Sequence, residues 1–262
     1  MTFKFYQNFI ILSFCFATIT TFSAERSFIP FDLCLTEHDK QMLQSLNVDD
    51  TQQPYNNFGH LENLECELQD FLKSIGNDQA HGQAGAKIIN NIVTRSIQKL
   101  QAQTAWITIR SFQASHQDVY TPRWHTDGYY YATFQGQQYK IACALKGPGT
   151  VFCNVSEDIR KKFQELESQT FAEMTKEEIG KLTFQQRQQF EQKTRLKLAE
   201  LLADLSIEQA PTAQGMLFIV GDKNSAAIHS EPPIKEDRLF ISIVPGSREQ
   251  IQELYDRWHP VK

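Results

Sequence analysis

The feature that most constrains the fold is a set of short apolar segments rich in β-branched and aromatic residues. In "TAWITIRSF", isoleucines alternate with Trp106, Thr108 and Arg110, and a period of two is typical of a β-strand with two different faces. Further strands are predicted at "YYYATF", "QYKIACAL", "TVFCNV", "GMLFIVG" and "RLFISIVP". The predicted β-core therefore spans 104–155 and 214–246.

Helical patterns surround and interrupt this β-core. The polar block 156–209 contains "TKEE" and "TFQQ", which match the capping box at the start of a helix, so we predict a helical insertion. Apolar residues recur every three or four positions across 61–102, which predicts N-terminal helices interrupted at "GNDQAHGQAG". We predict an extended lead-in with loops for 25–60 and a C-terminal helix for 247–258. The pattern indicates an α+β fold in one domain.

The N-terminus has the features of an export signal. Residues 1–24 contain one lysine, an apolar run and the small residues Ser23 and Ala24 near the end, as in a secretory signal peptide, and the run is short for a membrane span. We therefore predict a secreted or periplasmic chain, 25–262, with no stable membrane span after cleavage. An uncleaved N-terminal anchor is the alternative.

Four of the five cysteines lie outside that leader, an even number that suits an oxidising compartment. If the chain makes a hairpin at the Gly-Pro-Gly turn 147–149, Cys143 and Cys153 face each other across adjacent strands and can form a disulfide. Two buried free thiols are the alternative, and the pairing of Cys34 and Cys66 stays open. Because CxxC spacing is absent, a thiolate zinc site is not predicted.

The overall charge argues against nucleic acid as a partner. The formal net charge is -5 and the pI is about 5.8, so the chain lacks a broad positive field for phosphate backbones. An anionic small ligand would need a few local arginines.

The stretch "TPRWHTDGYYYATF" contains the residues with the clearest chemical potential. His125 and Asp127 are two residues apart, so on a strand their side chains point to the same face. His229 follows the predicted strand "GMLFIVG". Two imidazoles and one carboxylate form the ligand face that suits non-haem Fe(II) and leaves coordination positions open. The alternatives are a hydrogen-bonded surface pair and a loop histidine beside Glu231.

Arg238 begins the next predicted strand, after the turn-like "SEPPIKED". Its guanidinium can hold a carboxylate through two hydrogen bonds, with Ser242 as a nearby hydroxyl donor. A strand-end arginine paired with Asp237 or Glu236 is the alternative.

The order "WHTDG", a long gap, "AIHSEPP" and "RLFISIVPG" resembles the Fe(II)/2-oxoglutarate-dependent oxygenase superfamily over residues 104–246. The resemblance implies a double-stranded β-helix, a jelly-roll or cupin-like core, in which His125, Asp127 and His229 bind iron. The resemblance also implies that Arg238 pairs with the distal carboxylate of 2-oxoglutarate. Further candidates for binding this co-substrate are Arg110, Thr108 and Ser242. Phe240 occupies the place of the serine in the RxS form of some members.

The implied activity is oxidation of an organic substrate, most often hydroxylation, with Fe(II), O2 and 2-oxoglutarate, which is converted to succinate. Two other classes stay open. One is a cupin-like metalloenzyme that works without 2-oxoglutarate. The other is a non-catalytic secreted binding or effector protein that uses its helical insertion as a partner surface. The substrate, a small molecule or a protein, is not identified by the sequence.

Overall fold

The computed structural model describes residues 26–49, 53–114, 120–132, 136–172 and 174–259, so the predicted signal peptide lies outside the described residues. The helices in these ranges are α1 (Glu37–Ser45), α2 (Leu64–Ser74), α3 (Gln79–Lys99), α4 (Glu157–Gln169), α5 (Lys176–Lys181), α6 (Phe184–Leu201) and α7 (Arg248–Trp258). The strands are β1 (Phe28–Phe31), β2 (Tyr55–Phe58), β3 (Thr104–Phe112), β4 (Gln138–Lys146), β5 (Val151–Cys153), β6 (Ile207–Gln209), β7 (Gly215–Val220), β8 (Ile228–Ser230) and β9 (Arg238–Gly246). None of these helices combines the length and the apolar character needed to cross a membrane.

The strands form two antiparallel sheets. The large sheet has the order β1-β7-β4-β9-β3-β2, and the small sheet has the order β6-β5-β8. Strands β3 and β4, from the first half of the predicted β-core, both pair with β9 from the second half. The structure thus confirms a mixed fold of helices and antiparallel sheets.

Alternating side chains of the large sheet face two different environments. Ile107 on β3 and Ile241 on β9 belong to the apolar core shared with helices α1, α2 and α3. Thr108 and Ser242, one residue further along, line a cavity on the opposite face, and Ala142 of β4 continues that face. The period of two in these strands therefore separates a core face from a cavity face.

The two sheets pack against each other through aromatic rings. Phe152 on β5 stacks on Phe28 of β1, with 4.7 Å between ring centroids, and contacts Phe218 of β7 at 5.4 Å. All three side chains are fully buried or nearly so and belong to one apolar cluster. These rings join the small sheet to the large one.

The break between α2 and α3 is shorter than predicted. Gly76 has a φ of 93°, a conformation that glycine adopts without strain, and Asp78 accepts a hydrogen bond from the His81 backbone to begin α3. The remainder of "GNDQAHGQAG" is helical. A Cβ at position 85 would lie only 3.0 Å from the Leu72 side chain of α2. Gly85 inside α3 therefore permits α2 and α3 to pack closely.

Within the predicted helical insertion, 156–209, the chain forms α4, α5 and α6, but the last residues of this block, Ile207–Gln209, form strand β6 of the small sheet. Thr175 and Thr183 are N-cap residues with complete capping boxes, as "TKEE" and "TFQQ" predict. Phe163 of α4 and Leu198 of α6 share a buried apolar cluster with Ile228 of β8. The insertion therefore packs on the small sheet.

The predicted loop character of 25–60 is wrong. This segment contains β1, α1 and β2. Strand β1 pairs with β7, and β2 pairs with β3, so both extend the large sheet at its edges. Thr36 and Asp39 form the capping box that begins α1.

The predicted strand "YYYATF" is also wrong for residues 129–132, which form no strand, while 133 and 134 lie outside the described residues. The backbone N–H groups of Tyr130 and Tyr131 donate to Gln138 Oε1, at 2.9 and 3.2 Å. A side chain thus supplies the hydrogen-bond acceptor that a neighbouring strand would have offered.

The predicted hairpin between Cys143 and Cys153 does not form. Cys143 lies on β4 in the large sheet and Cys153 on β5 in the small sheet. The turn at 147–149 therefore leads the chain from one sheet to the other. Both thiols are buried and free, in agreement with the alternative to a disulfide, and Cys34 and Cys66 are exposed and free.

We expect Phe152→Ala to lower the free energy of unfolding by about 3–5 kcal/mol, because it removes the ring that joins the two sheets and leaves a cavity. Urea unfolding measures the loss. Leu196→Ala on α6 is the control: this side chain is 52% exposed, so the change should stay within about 0.5 kcal/mol. Equal losses in the two variants would contradict the role of Phe152.

Candidate metal centre

Two backbone hydrogen bonds bring the predicted histidines together. The His125 N–H donates to the His229 carbonyl and the His229 N–H donates to the His125 carbonyl, both at 3.0 Å. This isolated antiparallel bridge sets a segment from the first half of the β-core beside β8. The imidazole rings consequently lie side by side, with 4.3 Å between their centroids.

Asp127 completes the group. Its backbone carbonyl accepts a hydrogen bond from Gly221 at 2.9 Å. Its Oδ1 lies 3.8 Å from His125 Nε2, and its Oδ2 lies 3.8 Å from His229 Nε2. Two donor atoms that are each about 2.1 Å from one transition-metal ion lie at most about 4.2 Å apart, so each histidine, taken with its nearer oxygen of Asp127, is within the range of a shared ion. One donor atom from each residue lies within 4.8 Å of the others.

The other ring nitrogens fix the orientation and tautomer of both histidines. His125 Nδ1 lies 2.8 Å from the Arg123 carbonyl, and His229 Nδ1 lies 3.1 Å from the Ala227 carbonyl. Because a carbonyl only accepts hydrogen bonds, each Nδ1 carries the proton and each Nε2 presents a lone pair towards Asp127. A backbone carbonyl on the distal nitrogen is the usual support of a metal-binding histidine.

The protonation states also suit a metal. Burial lowers the pKa of His229 to about 4, helped by the neighbouring His125, and burial lowers the pKa of His125. Burial opposes ionisation of Asp127, but Lys140 and the two histidines outweigh it and hold the carboxyl pKa below its usual range. At neutral pH the group therefore offers two neutral imidazoles and one carboxylate, the forms that bind metal ions.

These residues open into a cavity of about 190 Å³. All the predicted site residues line its wall: His125, Asp127, His229, Arg238, Arg110, Thr108 and Ser242. Their roles as ligands or co-substrate contacts stay predictions. Arg110 is exposed, whereas Thr108 and Ser242 are buried and lie opposite each other on β3 and β9. The Thr108 hydroxyl donates to Asn56 Oδ1 at 3.0 Å, which leaves its oxygen lone pairs available.

Arg238 is a buried cation without a carboxylate partner. The residue is 1% exposed, and among the described residues none forms a salt bridge with it. Its Nε donates to the Pro148 carbonyl at 2.9 Å, and its guanidinium lies 4.5 Å from the centre of the Phe240 ring. Nη2 has no hydrogen-bond partner in the described part of the chain. Burial lowers its pKa to about 10, so the side chain stays charged at neutral pH.

The alternative pairing of Arg238 with Asp237 or Glu236 is not found among those salt bridges. Asp237 Oδ1 instead accepts a hydrogen bond from the Ala114 backbone at 3.0 Å. Nη2 of Arg238 is therefore a charged hydrogen-bond donor that the described residues leave unsatisfied, and burying such a donor is costly.

Sequence reasoning missed Lys140 and treated Tyr130 only as part of the predicted strand "YYYATF". Lys140 Nζ lies 2.9 Å from Asp127 Oδ2, and the Tyr130 hydroxyl donates to the same oxygen at 3.1 Å. A signal for Lys140 was available, because it sits two residues before Ala142 on the cavity face, directly before the apolar run Ile141 to Leu145. Tyr129 is 52% exposed and Tyr131 is buried.

The lowered pKa of His229 gives a prediction for the metal-free protein. The unfolded chain binds a proton at His229 near pH 6.5, whereas the folded protein does so near pH 4. Because the unfolded state binds more protons between these values, stability should fall as the pH is lowered through this window. Urea unfolding across the window should give a smaller pH dependence for His229→Gln than for wild type.

His60→Gln is the matched control, since the His60 side chain is 72% exposed. We expect this variant to keep the wild-type pH dependence. If His229→Gln also kept it, the histidine would not be buried in its neutral form.

Comparisons with known proteins do not assign a family. Neither the known protein families nor the curated proteins give a match. The solved structures that match include the viral collagen prolyl hydroxylase of Paramecium bursaria Chlorella virus-1. That protein is 11% identical, the alignment covers 76% of this chain and 91% of the other, and the TM-score is 0.32. The assignment of the site therefore rests on its own geometry.

Proposed function

We propose that this protein is a non-haem Fe(II)- and 2-oxoglutarate-dependent oxygenase that hydroxylates an organic substrate. One observation carries the proposal. The donor atoms of His125, Asp127 and His229 converge in a cavity that also contains the buried guanidinium of Arg238, whose Nη2 has no hydrogen-bond partner among the described residues. A metal face and an anion site in one cavity are what a metal-chelating dicarboxylate co-substrate requires.

The chain path supports a double-stranded β-helix as the finer fold. From β3 in the large sheet the chain passes to the His125 bridge beside the small sheet, then to β4, and then to β5 and β6. It continues to β7, β8 and β9, which alternate between the large and the small sheet. Strands that alternate in this way between two facing antiparallel sheets are the basis of a jelly-roll arrangement.

The donor set suits Fe(II). Two imidazole nitrogens and one carboxylate oxygen leave about three positions of an octahedral ion for other ligands. Iron bound there would supply activation of O2 together with the co-substrate. At neutral pH His125 and His229 are uncharged and Asp127 is ionised, so all three side chains are in the protonation states that bind a metal ion.

The wall of the cavity offers contacts for 2-oxoglutarate. Arg238 Nη2 is available for the distal carboxylate, and an arginine can bind a carboxylate through two parallel hydrogen bonds. Thr108 and Ser242 provide hydroxyl groups on the same face, and Arg110 adds a second positive charge near Arg238. The substrate would enter through the remaining opening.

The free Nη2 of Arg238 favours this function over its alternatives. A cupin-like metalloenzyme that works without a keto-acid does not require a buried arginine in its cavity, and a non-catalytic binding protein does not require three converging metal ligands. Export from the cell is a separate proposal that rests on residues 1–24 alone.

We expect the anaerobic protein to bind about one equivalent of Fe(II), to change absorbance on addition of 2-oxoglutarate, and to form succinate once O2 is admitted. His125→Ala and His229→Ala should abolish succinate formation, because each removes one of only three protein ligands. Circular dichroism checks that both variants fold, and His60→Ala, at the surface, should retain activity. Full turnover in either ligand variant would exclude the proposed function.

We expect Arg238→Met to weaken 2-oxoglutarate binding by at least about thirtyfold, because a buried carboxylate loses its charged partner. Calorimetry on the anaerobic Fe(II)-loaded protein measures the affinity. Arg187→Met on α6 is the control, since Arg187 is exposed, does not line the cavity and donates to the Ile179 carbonyl at 2.8 Å. The affinity of this variant should change less than about threefold. Unchanged binding in Arg238→Met would favour an enzyme that works without 2-oxoglutarate.

A further inference from the structure

A largely buried lysine bonds to the carboxylate of the candidate metal ligand Asp127. Lys140 Nζ lies 2.9 Å from Asp127 Oδ2, and both side chains are 15% exposed. The Tyr130 hydroxyl donates to the same oxygen at 3.1 Å, and Lys140 Nζ lies 3.1 Å from that hydroxyl. Among the described residues, no hydrogen bond reaches Asp127 Oδ1. The two oxygens of this carboxylate are therefore not equivalent.

Aromatic rings hold the ammonium group in place. Lys140 Nζ lies 5.7 Å from the centre of the Tyr130 ring and 5.8 Å from the centre of the Phe218 ring, within the range of cation–π attraction. The Phe218 ring also contacts His229, with 5.0 Å between centroids. These contacts hold Lys140 beside Asp127 and His229 with little exposure to solvent.

Two consequences follow for a metal ion at this site. Lys140 and Tyr130 occupy Oδ2, so Oδ1 is the oxygen left to bind the ion. The ammonium also repels a dication that shares its carboxylate, and repulsion between buried like charges is weakly screened. Lys140 thus orients the ligand and at the same time lowers the affinity for the ion.

We propose that Lys140 is a positioning residue that keeps Asp127 a one-oxygen ligand and weakens metal binding until an anionic co-substrate offsets the charge. The inference rests on the proposed function. One-oxygen binding matters because a carboxylate that bound through both oxygens would occupy a position that the co-substrate or O2 needs. A dianionic co-substrate beside Lys140 and the metal ion would offset the repulsion between these two positive charges. Binding of the metal and binding of the co-substrate would therefore each make the other more favourable.

The test uses Mn(II) as a probe for the ferrous ion and counts free Mn(II) by electron paramagnetic resonance, with the full chain freed of metal. We expect Lys140→Met and Lys140→Gln to bind Mn(II) at least about tenfold more tightly than wild type, because the repelling charge is gone. Lys140→Arg retains the charge and should restore affinity to within about threefold of wild type. Glutamine keeps a hydrogen-bond donor, so agreement of the two neutral variants isolates charge as the cause.

Lys146→Met is the matched control. Lys146 lies on the same strand, but its Nζ donates to the Leu46 carbonyl and it does not line the cavity, so its variant should bind Mn(II) as wild type does. Adding 2-oxoglutarate should increase the Mn(II) affinity of wild type by a larger factor than that of Lys140→Met.

The two proposals fail in different ways. If wild type binds Mn(II) and neither neutral variant binds it more tightly, Lys140 does not weaken the metal site and this inference is wrong while the proposed function stands. If wild type and all variants fail to bind Mn(II) and Fe(II), the metal centre itself is wrong, and both proposals fall.

Discussion

The paired backbone hydrogen bonds between His125 and His229 are the contact on which the candidate site depends. They join the two halves of the β-core across the helical insertion, so that side chains far apart in sequence share one face. The position of Asp127 then follows from the backbone, because it lies two residues after the bridge and its carbonyl accepts a hydrogen bond from the Gly221 N–H. The convergence of the three side chains is therefore set by the backbone, and a metal ion would find its ligands already in place.

Burial determines which charges the cavity can keep. Asp127 is balanced by Lys140, and Glu231 is balanced by Arg123. Arg238 forms no salt bridge among the described residues, although the more distant Glu231 offsets part of its charge, and a poorly compensated buried charge is costly. A fold tolerates such a cost mainly where a ligand repays it, since perturbed charges concentrate at functional sites. The proposal of an anionic co-substrate thus follows from the charge of the cavity and does not depend on its volume.

Sequence could predict the features that local patterns encode. The alternation in "TAWITIRSF" predicted β3, and the capping boxes at Thr175 and Thr183 predicted the starts of α5 and α6. The histidines and Asp127 could be singled out because their spacing and chemistry suit one ion.

What sequence could not predict depends on contacts made at long range. The segment "YYYATF" has a strand pattern, but its tyrosines 130 and 131 donate their backbone hydrogen bonds to the Gln138 side chain and not to a neighbouring strand. The Gly-Pro-Gly turn marks a change of direction, but it does not say which sheet the next strand joins, and so Cys143 and Cys153 were placed face to face. The position of Lys140 beside an apolar run is visible in the sequence, but its pairing with Asp127 arises only in the folded chain.

The helical insertion has a structural part in the site that its sequence does not suggest. Arg195 of α6 donates to the Thr121 carbonyl, upstream of His125, and Arg160 of α4 donates to the Ala226 carbonyl at 2.8 Å, upstream of His229. Trp124, the residue before His125, is buried in the same apolar cluster as Phe163 of α4. The insertion therefore holds both ligand-bearing segments from behind the small sheet. The bridge between those segments is a single isolated pair of residues. The contacts with the insertion therefore explain how so short a bridge can keep the two imidazoles side by side.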